Sequence, residues 1–441
     1  MKNYRPVSLL PIVSKLFEKK MSGQIVEYID GFLSPYLFGY RKGHSAEQCL
    51  AVMLEQWRGA LDNKDAAGAV LTDLSKAFDC LNHNLLLAKL NAYGFGREAL
   101  EFVSSYLKYR KQRSKINKSF SLYDELKYGV PQGSILGPLL FNIFINDLFF
   151  FINESKLANY ADDNTLYAVE NNVSNLLKLL EMETNKVLKW FEMNEMKPNA
   201  DKCHLIVCNK NKCSVTLDNN IIEGEKFVEL LGMTITNDLK FSDHITILCK
   251  RANQKLHALA RISKFMKKDK LRILMKAFVM SQFNYCPLIW MFCNRTSNNK
   301  INRLHERALR LVYEDENLTF EELLEKNNSV TIHQRNLQKL SVEMYKVKND
   351  LAPQPFRNLF TEKFCQYDLR NKKTWESHNI RTVIYGSETL TNMGPKIWEL
   401  VPNTIKDSDS LCEFRRRIKS WKPEGCPCRL CKTFINELGF L

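Results

Sequence analysis

The stretch Asn159-Tyr160-Ala161-Asp162-Asp163-Asn164 decides the fold of this chain. Apolar residues precede it and an alternating run, residues 165–169, follows it, so the pattern predicts two short strands joined by a polar turn. Adjacent carboxylates repel each other unless a cation lies between them, and Mg²⁺ prefers oxygen ligands of this kind. Aspartate also favours turns for its own local hydrogen bonds, so the pair alone is compatible with a metal site or with a plain turn.

Composition narrows the class of protein. The 441-residue chain is long enough for two or three domains, and its 45% hydrophobic and 26% charged residues are typical of a globular protein. The net charge of +15 favours a polyanionic partner, nucleic acid before membrane, with a generally basic protein as the alternative. No secretion signal is visible, and the most apolar window, residues 139–152, is too short to span a bilayer. We therefore expect an intracellular protein, nuclear or cytoplasmic, with no membrane contact and mostly reduced cysteines.

Two motifs upstream of the acidic stretch carry candidate phosphate and metal ligands. Residues 38–45 form a glycine-punctuated basic loop with Arg41 and Lys42, which suits phosphate groups or is a plain solvated loop. Residues 66–74 predict a buried strand with Asp73 near its end. A carboxylate at the carboxyl end of a buried strand is a common position for metal and phosphate chemistry.

A third motif, residues 129–134, is a tight loop with two glycines that let the backbone approach a ligand closely. Its Gln132 offers both a donor and an acceptor.

Basic residues interleaved with tyrosines at 106–118 suit a nucleic-acid backbone, as does an arginine stripe on a predicted helix near residue 305. A solvated charge run is the alternative for both. The stripe consists of Arg303, Arg307 and Arg310.

The tail ends in the cysteine-rich run 426–431. A structural zinc site needs four ligands, and the fourth would have to be Cys412 or His378. Because the spacing fits no standard pattern, we do not expect zinc there. The three cysteines concerned are Cys426, Cys428 and Cys431.

The motifs in this order resemble the reverse transcriptases, most closely those of LINE-type, non-LTR retrotransposons of the jockey-like group. The matching stretches are residues 3–10, 40–45, 70–79, 106–113, 129–148, 159–167, 199–202 and 230–232. The resemblance implies an α+β fold: a right-hand polymerase palm and fingers with an antiparallel palm sheet, then a mainly helical thumb, then a basic, cysteine-containing extension. The implied boundaries are 1–236, 237–350 and 351–441.

The resemblance implies an RNA-directed DNA polymerase that uses two Mg²⁺ ions, with Mn²⁺ as an alternative. Asp73 and Asp162 would bridge the ions, Asp163 would be the weaker ligand, and the backbone carbonyl of Leu74 would join the ion that holds the triphosphate. Lys202 matches a lysine that protonates the departing pyrophosphate. The implied partners are an RNA template, a DNA primer or RNA–DNA duplex, and dNTPs; no oligomeric state is implied.

The resemblance also assigns contacts to the nucleotide and the nucleic acid. Phe78 would be a steric gate that excludes a ribose 2′-hydroxyl, which favours a DNA product. Gln132 and Gly133 would lie along the incoming nucleotide, and Arg41 and Lys42 would neutralise its phosphates. The expected nucleic-acid contacts are Arg110, Arg113, Tyr160, Leu231, Gly232, Arg303, Arg307 and Arg310.

The chain departs from the group in two places. Asn164 stands where the group usually has threonine, and the chain begins at the first reverse-transcriptase motif, so we expect no amino-terminal endonuclease and an activity impaired by truncation. Two alternatives stay open at this point. One is a non-catalytic, nucleic-acid-binding remnant of a retroelement, and the other is a maturase-like RNA-binding splicing factor.

Overall fold

The computed structural model describes residues 8–74, 77–198, 203–315, 317–363, 375–376, 379–423 and 425–431, with the backbone alone at Asp73. The helices in chain order are α1 (Ile12–Ile29), α2 (Ala46–Asp62), α3 (His83–Ala92), α4 (Arg97–Leu107), α5 (Leu136–Ile145), α6 (Val173–Met193), α7 (Ser242–Ser263), α8 (Lys268–Leu274), α9 (Pro287–Trp290), α10 (Arg295–Tyr313), α11 (Phe320–Lys326), α12 (Ile332–Lys348), α13 (Gln354–Arg357), α14 (Leu390–Leu400), α15 (Asn403–Lys406) and α16 (Leu411–Arg417). The strands are β1 (Ala66–Asp73), β2 (Lys111–Gln112), β3 (Lys115–Ile116), β4 (Ser119–Phe120), β5 (Asp124–Glu125), β6 (Lys156–Tyr160), β7 (Asp163–Glu170), β8 (His204–Val207), β9 (Ser214–Leu217), β10 (Asn220–Glu223), β11 (Phe227–Leu230) and β12 (Met233–Thr236).

The chain divides into two compact units. The first comprises residues 1–44, 67–207 and 211–225, and the second comprises residues 45–66, 208–210 and 226–441. The α+β class expected from the sequence is confirmed.

A four-stranded sheet in the order β6-β7-β1-β8 organises the first unit. β6 and β7 pair antiparallel with Tyr160 opposite Asp163, and β1 pairs antiparallel with β8. The hairpin predicted around the acidic stretch is therefore confirmed, and so is the buried strand predicted at residues 66–74. β7 and β1 are neighbours in the sheet, so the strand that begins at Asp163 lies beside the strand that ends at Asp73.

The apolar helix α5 lies in the core of the first unit and is buried on nearly all sides. Two buried asparagines lie at this helix: Asn142 within it donates to the carbonyl of Gly39 at 2.8 Å, and Asn146 directly after it donates to that of Phe32 at 2.9 Å. The buried carboxylate of Glu18 accepts from the amides of residues 135 and 136 at 2.6 and 3.2 Å. A negative group there satisfies donors at the positive end of the helix.

The second unit contains α2, the β11–β12 hairpin and helices α7–α16. α2 begins after Ser45, whose hydroxyl caps the helix by accepting from the Gln48 amide at 3.3 Å. Three acidic side chains of α2 are buried or nearly so, and each is bonded to backbone amides of the second unit. Glu47, Glu55 and Asp62 accept from Leu288, Thr391 and Thr382 at 2.9, 2.9 and 2.7 Å.

The region 237–350, expected to be mainly helical, contains helices α7–α12. None of the helices in the part of the chain that the structure describes combines the length and apolar character needed to cross a bilayer.

Candidate active site

The acidic hairpin turns over two residues, Ala161 and Asp162, with Ala161 in the left-handed region at φ 59°. Two buried asparagines brace this turn from inside. Asn159 donates to the carbonyl of Ala161 at 2.9 Å and to the side-chain oxygen of Asn164 at 2.8 Å, and Asn164 donates to the carbonyl of Asp162 at 3.3 Å. The carboxylate of Asp162 is half-buried and Asp163, the first residue of β7, is exposed. The turn is therefore fixed by amide side chains, and its two acids lie at the outer end of the hairpin.

A second segment, residues 36–39, runs alongside β6 and holds the hairpin from the other side. The amide of Asn159 donates to the carbonyl of Tyr36 at 3.1 Å, and the amide of Phe38 donates back to the carbonyl of Asn159 at 2.9 Å. Gly39 then passes so close to the turn that a Cβ there would lie 2.3 Å from the backbone nitrogen of Ala161. Only a residue without a side chain fits this approach.

An aromatic cluster adjoins the hairpin through Tyr40. The ring of Phe78 stacks on Phe141 at 4.8 Å and meets the edge of Tyr40 at 5.8 Å. Phe78 is half-buried, and its carbonyl accepts from the amide of Val130 at 2.9 Å. The candidate gate is therefore held in place by its neighbours, and the segment that positions it also packs against the acidic turn.

The loop 129–134 packs on the residues that follow the candidate gate. Gly129, at φ +84°, donates to the carbonyl of Leu81 at 2.7 Å, and a Cβ there would clash with backbone of residues 78 and 79. The side-chain amide of Gln132 donates to Asp79 at 2.8 Å. Gln132 and Asp79 line a cleft of about 510 Å³, and Arg110 lies on the same cleft. Asp79 thus positions the glutamine that the sequence singled out.

The position of Asp73, the acid at the end of β1, is described by its backbone alone. β1 ends at Asp73 and neighbours β7, which begins at Asp163. Leu74 continues β1 and forms an isolated bridge to Pro198. Lys202 lies outside the described residues. The meeting of the three carboxylates and the role of Lys202 stay predictions.

The basic loop gives its two cations different surroundings. The guanidinium of Arg41 donates to a carboxylate oxygen of Asp30 at 2.7 Å and to the carbonyl of Ser34 at 2.9 Å, and its side chain is only 11% exposed. Lys42 is exposed. Arg41 therefore anchors the loop, and Lys42 is the more accessible cation for a phosphate.

Two candidate nucleic-acid contacts in the first unit are arginines on the hairpins after α4. Burial lowers the pKa of Arg110, whose guanidinium donates to the hydroxyl of Ser8 at 3.5 Å. Arg113 lies over the rings of Phe120 and Tyr123, with its guanidinium carbon 4.1 and 4.7 Å from their centroids. Aromatic stacking preserves the positive charge while it orients the side chain. The third candidate, half-buried, is Tyr160 at the end of β6.

The remaining candidates belong to the second unit. Leu231 and Gly232 form the turn between β11 and β12, at φ 47° and 72°, and the hydroxyl of Tyr285 donates to the carbonyl of Leu231 at 2.6 Å. This hydrogen bond holds the turn in place, which suits a contact with the end of a primer strand.

The arginine stripe on α10 is not uniform. Arg303 is exposed, Arg307 is exposed and donates to Asn253 at 3.1 Å, and Arg310 is paired with Glu306 at 2.7 Å. Arg310 also donates to the carbonyl of Asp315 at 3.2 Å, so its guanidinium is used within the unit. The first two arginines are the accessible members of the stripe.

Sequence reasoning missed several residues that position the site. Gly39 and Asp79 act through contacts with residues distant in the chain, whereas the side chain of Asn159 bonds to Ala161 and Asn164 of its own hairpin. The glycine after Phe38 was the only signal for Gly39, since an isolated glycine in a loop can indicate a close backbone approach.

Comparison with known proteins identifies the class. A family model described as "Reverse transcriptase (RNA-dependent DNA polymerase)" matches residues 1–235, more than half of the chain. The chain therefore belongs to the reverse transcriptase family.

Its curated relatives come from non-LTR transposons. The chain is 27% identical over 327 residues to a probable RNA-directed DNA polymerase from transposon BS of Drosophila melanogaster, which covers 70% of this chain and 36% of that protein. It is 26% identical over 328 residues to the RNA-directed DNA polymerase from mobile element jockey of the same organism, covering 70% and 35%. The expected resemblance to jockey-like, LINE-type enzymes is confirmed, and the chain spans about a third of the length of these relatives.

Among solved structures, apo telomerase from Candida tropicalis matches with a TM-score of 0.39 and 14% identity, covering 78% of this chain and 55% of that one.

Proposed function

We propose that this chain is an RNA-directed DNA polymerase, which adds nucleotides from dNTPs to a primer 3′-hydroxyl along an RNA template. Membership of the reverse transcriptase family and the names of the relatives support this proposal. The observation that carries it is local: segment 36–40 packs against the acidic turn at Ala161 and also contacts Phe78. An acidic turn and a bulky ring joined in this way match the needs of a polymerase that selects deoxynucleotides.

The donor chemistry of the hairpin fits divalent magnesium. Asp162 and Asp163 supply hard carboxylate oxygens, whereas Asn159 and Asn164 donate to the carbonyls of the turn, so the carboxylates are the ligands we assign to the ions. With Asp73, whose strand neighbours β7, these residues would hold two Mg²⁺ ions. When bound, the ions would activate the primer hydroxyl and neutralise the triphosphate.

The remaining roles follow from where the side chains lie. Phe78, fixed by Phe141, would present a rigid wall where a ribose 2′-hydroxyl would otherwise fit. Gln132, held by Asp79, would line the path of the incoming nucleotide, with Gly133 beside it. Lys202 would protonate the leaving pyrophosphate.

We assign nucleic-acid contacts to side chains and a turn on both units. In the first unit these side chains are Arg110, which lines the cleft, and Arg113, which lies over the rings of Phe120 and Tyr123. In the second, the turn at residues 231–232 would grip a primer end, and Arg303 and Arg307 would lie on duplex phosphates, held by shape and charge. An RNA template, a DNA primer and dNTPs are the proposed partners, and an intracellular location stays a prediction.

Template-dependent incorporation tests the proposal. The full chain is given poly(rA) with an oligo(dT) primer, dTTP and Mg²⁺, and primer extension is measured beside template binding. We expect extension by the wild type and by Asp218→Asn, and none by Asp162→Asn. Asp218 is a matched control, because it is an exposed acid in the two-residue turn between β9 and β10 of the same unit.

A non-catalytic remnant, the alternative that the +15 charge favours, gives a different result. It would bind the template–primer in a salt-sensitive way and extend nothing. Binding without extension by the wild type would therefore overturn the polymerase proposal.

A further inference from the structure

Four potential metal ligands meet in the second unit, and none of them belongs to the polymerase motifs of the sequence. They are His333, Cys426, Cys428 and Cys431, and their ligand atoms all lie within 4.8 Å of one another. The Cys428 Sγ lies 3.3 Å from the His333 Nε2. The first three residues are buried and Cys431 is half-buried. A buried group of thiols and an imidazole at this separation needs a physical explanation.

The fold supplies a ligand that the sequence did not suggest. From the sequence, zinc was not expected because the spacing of the cysteines fits no standard pattern, and only Cys412 or His378 was considered as the fourth ligand. Cys412 is exposed on α16 and outside the cluster, and His378 lies outside the described residues. His333 comes instead from the first turn of α12, far upstream in the chain. His333 therefore takes the place of the two fourth ligands that the sequence suggested.

Two hydrogen bonds outside the cluster tie the cysteine segment and the residues before it to the rest of the second unit. Gln338, one turn along α12 from the histidine, donates to the carbonyl of Trp421 at 2.7 Å. The amide of Arg429 donates to the carboxylate of Glu388 at 2.8 Å. These contacts help to hold the segment beside the histidine.

The donor set and the spacing both suit zinc. Three thiolates and one imidazole are an established ligand set for tetrahedral Zn²⁺, with Zn–S and Zn–N bonds of about 2.3 and 2.0 Å. Those bond lengths require donor atoms roughly 3.5–3.8 Å apart, and the observed separations of up to 4.8 Å are within reach of small side-chain rotations. Four protein ligands leave no open position, which is the mark of a structural site and not of a catalytic one.

We propose that Cys426, Cys428, Cys431 and the Nε2 atom of His333 bind one structural Zn²⁺ ion, which ties the end of the described chain to α12. On binding, the three thiols lose their protons to solvent and coordinate as thiolates, while the neutral imidazole donates its lone pair; no group is oxidised or reduced. The proposal does not depend on polymerase activity.

Metal content of the full chain tests the proposal. The protein is purified under reducing conditions, and its zinc content is measured by inductively coupled plasma mass spectrometry. We expect one zinc per chain in the wild type and in the control Cys412→Ser, and a loss of at least about tenfold in Cys428→Ser and His333→Ala. His333→Cys offers a fourth thiolate and should restore the zinc. Wild-type protein that carries no zinc after exposure to stoichiometric Zn²⁺ overturns the proposal.

A second readout covers the case in which the variants fail to fold. Wild-type protein stripped of metal is titrated with Co²⁺, which should give the absorption of a tetrahedral ion with thiolate charge transfer, saturating at one equivalent. Bound zinc should also protect Cys426, Cys428 and Cys431 from alkylation while Cys412 reacts. An octahedral cobalt spectrum, or a disulfide between two of these cysteines in freshly reduced protein, would contradict the proposal.

Discussion

Replacing Gly39 by alanine tests how tightly the acidic turn is held. The added Cβ would lie 2.3 Å from the backbone nitrogen of Ala161 and 3.1 Å from its Cα, whereas ordinary contacts begin at 3.4 Å. The obstructing atoms are backbone, so no side chain can rotate away. The turn that carries Asp162 must therefore move by about 1 Å or the segment 36–39 must detach from it.

Both consequences have a magnitude. Overpacking of a well-packed site costs about 1–3 kcal/mol in the free energy of unfolding. A displacement of about 1 Å of a catalytic group lowers the rate on the order of 10²-fold. We therefore expect Gly39→Ala to lose about 1–3 kcal/mol of stability and to extend a primer on the order of 10²-fold more slowly than the wild type, at unchanged template affinity.

Gly31→Ala is the matched control for this substitution. Gly31 also belongs to the first unit, and no described atom lies within 4 Å of a Cβ placed there. Urea unfolding gives the stability of both variants, and single-turnover primer extension gives their rates. The reasoning is refuted if Gly39→Ala and Gly31→Ala behave alike in both assays.

Three further predictions address the gate, the turn and a buried histidine. Phe78→Val should reduce discrimination against ribonucleotides by at least about tenfold, measured as the ratio of kcat/KM for dCTP and CTP; an unchanged ratio would reject the gate. Asn164→Ala removes a donor from the carbonyl of Asp162 and should cost about 1–3 kcal/mol in urea unfolding, so wild-type stability would count against the brace. Burial lowers the pKa of His244 to about 4, and its Nδ1 accepts from the Thr234 amide at 3.3 Å. Between these pH values the histidine is protonated in the unfolded chain and neutral in the folded chain. The free energy of unfolding should therefore fall by up to about 3 kcal/mol as the pH drops from about 6.5 to about 4. His244→Asn should flatten this part of the stability profile, and a profile identical to that of the wild type would contradict the assignment.

Strand periodicity was sufficient to predict the central hairpin and the strand that ends at Asp73, because each pattern is local. It placed both acids in the turn, whereas the structure puts only Asp162 there and starts β7 at Asp163. The reason is the pair of asparagines. Asn164 bonds inward to Asn159, which fixes Asn164 in β7, so the strand begins at Asp163.

Contacts between residues far apart in the chain could not be predicted in the same way. Arg41 was expected on phosphates, and the structure pairs it with Asp30, a partner that the loop sequence does not reveal. His333 joins cysteines that lie beyond α16, so only the fold brings the four ligands together. The need for glycine at position 39 arises from the approach of the turn at Ala161.

The most direct test of the central claim is the single-turnover rate of dTMP addition by Asp162→Asn in Mg²⁺, compared with Asp218→Asn. Asparagine preserves the size of the side chain and removes the charge that would hold the metal ions. Loss of several kcal/mol of transition-state stabilisation corresponds to a rate at least about a thousandfold lower for Asp162→Asn, with Asp218→Asn at the wild-type rate. Equal rates for the two variants would contradict a catalytic metal site at this hairpin.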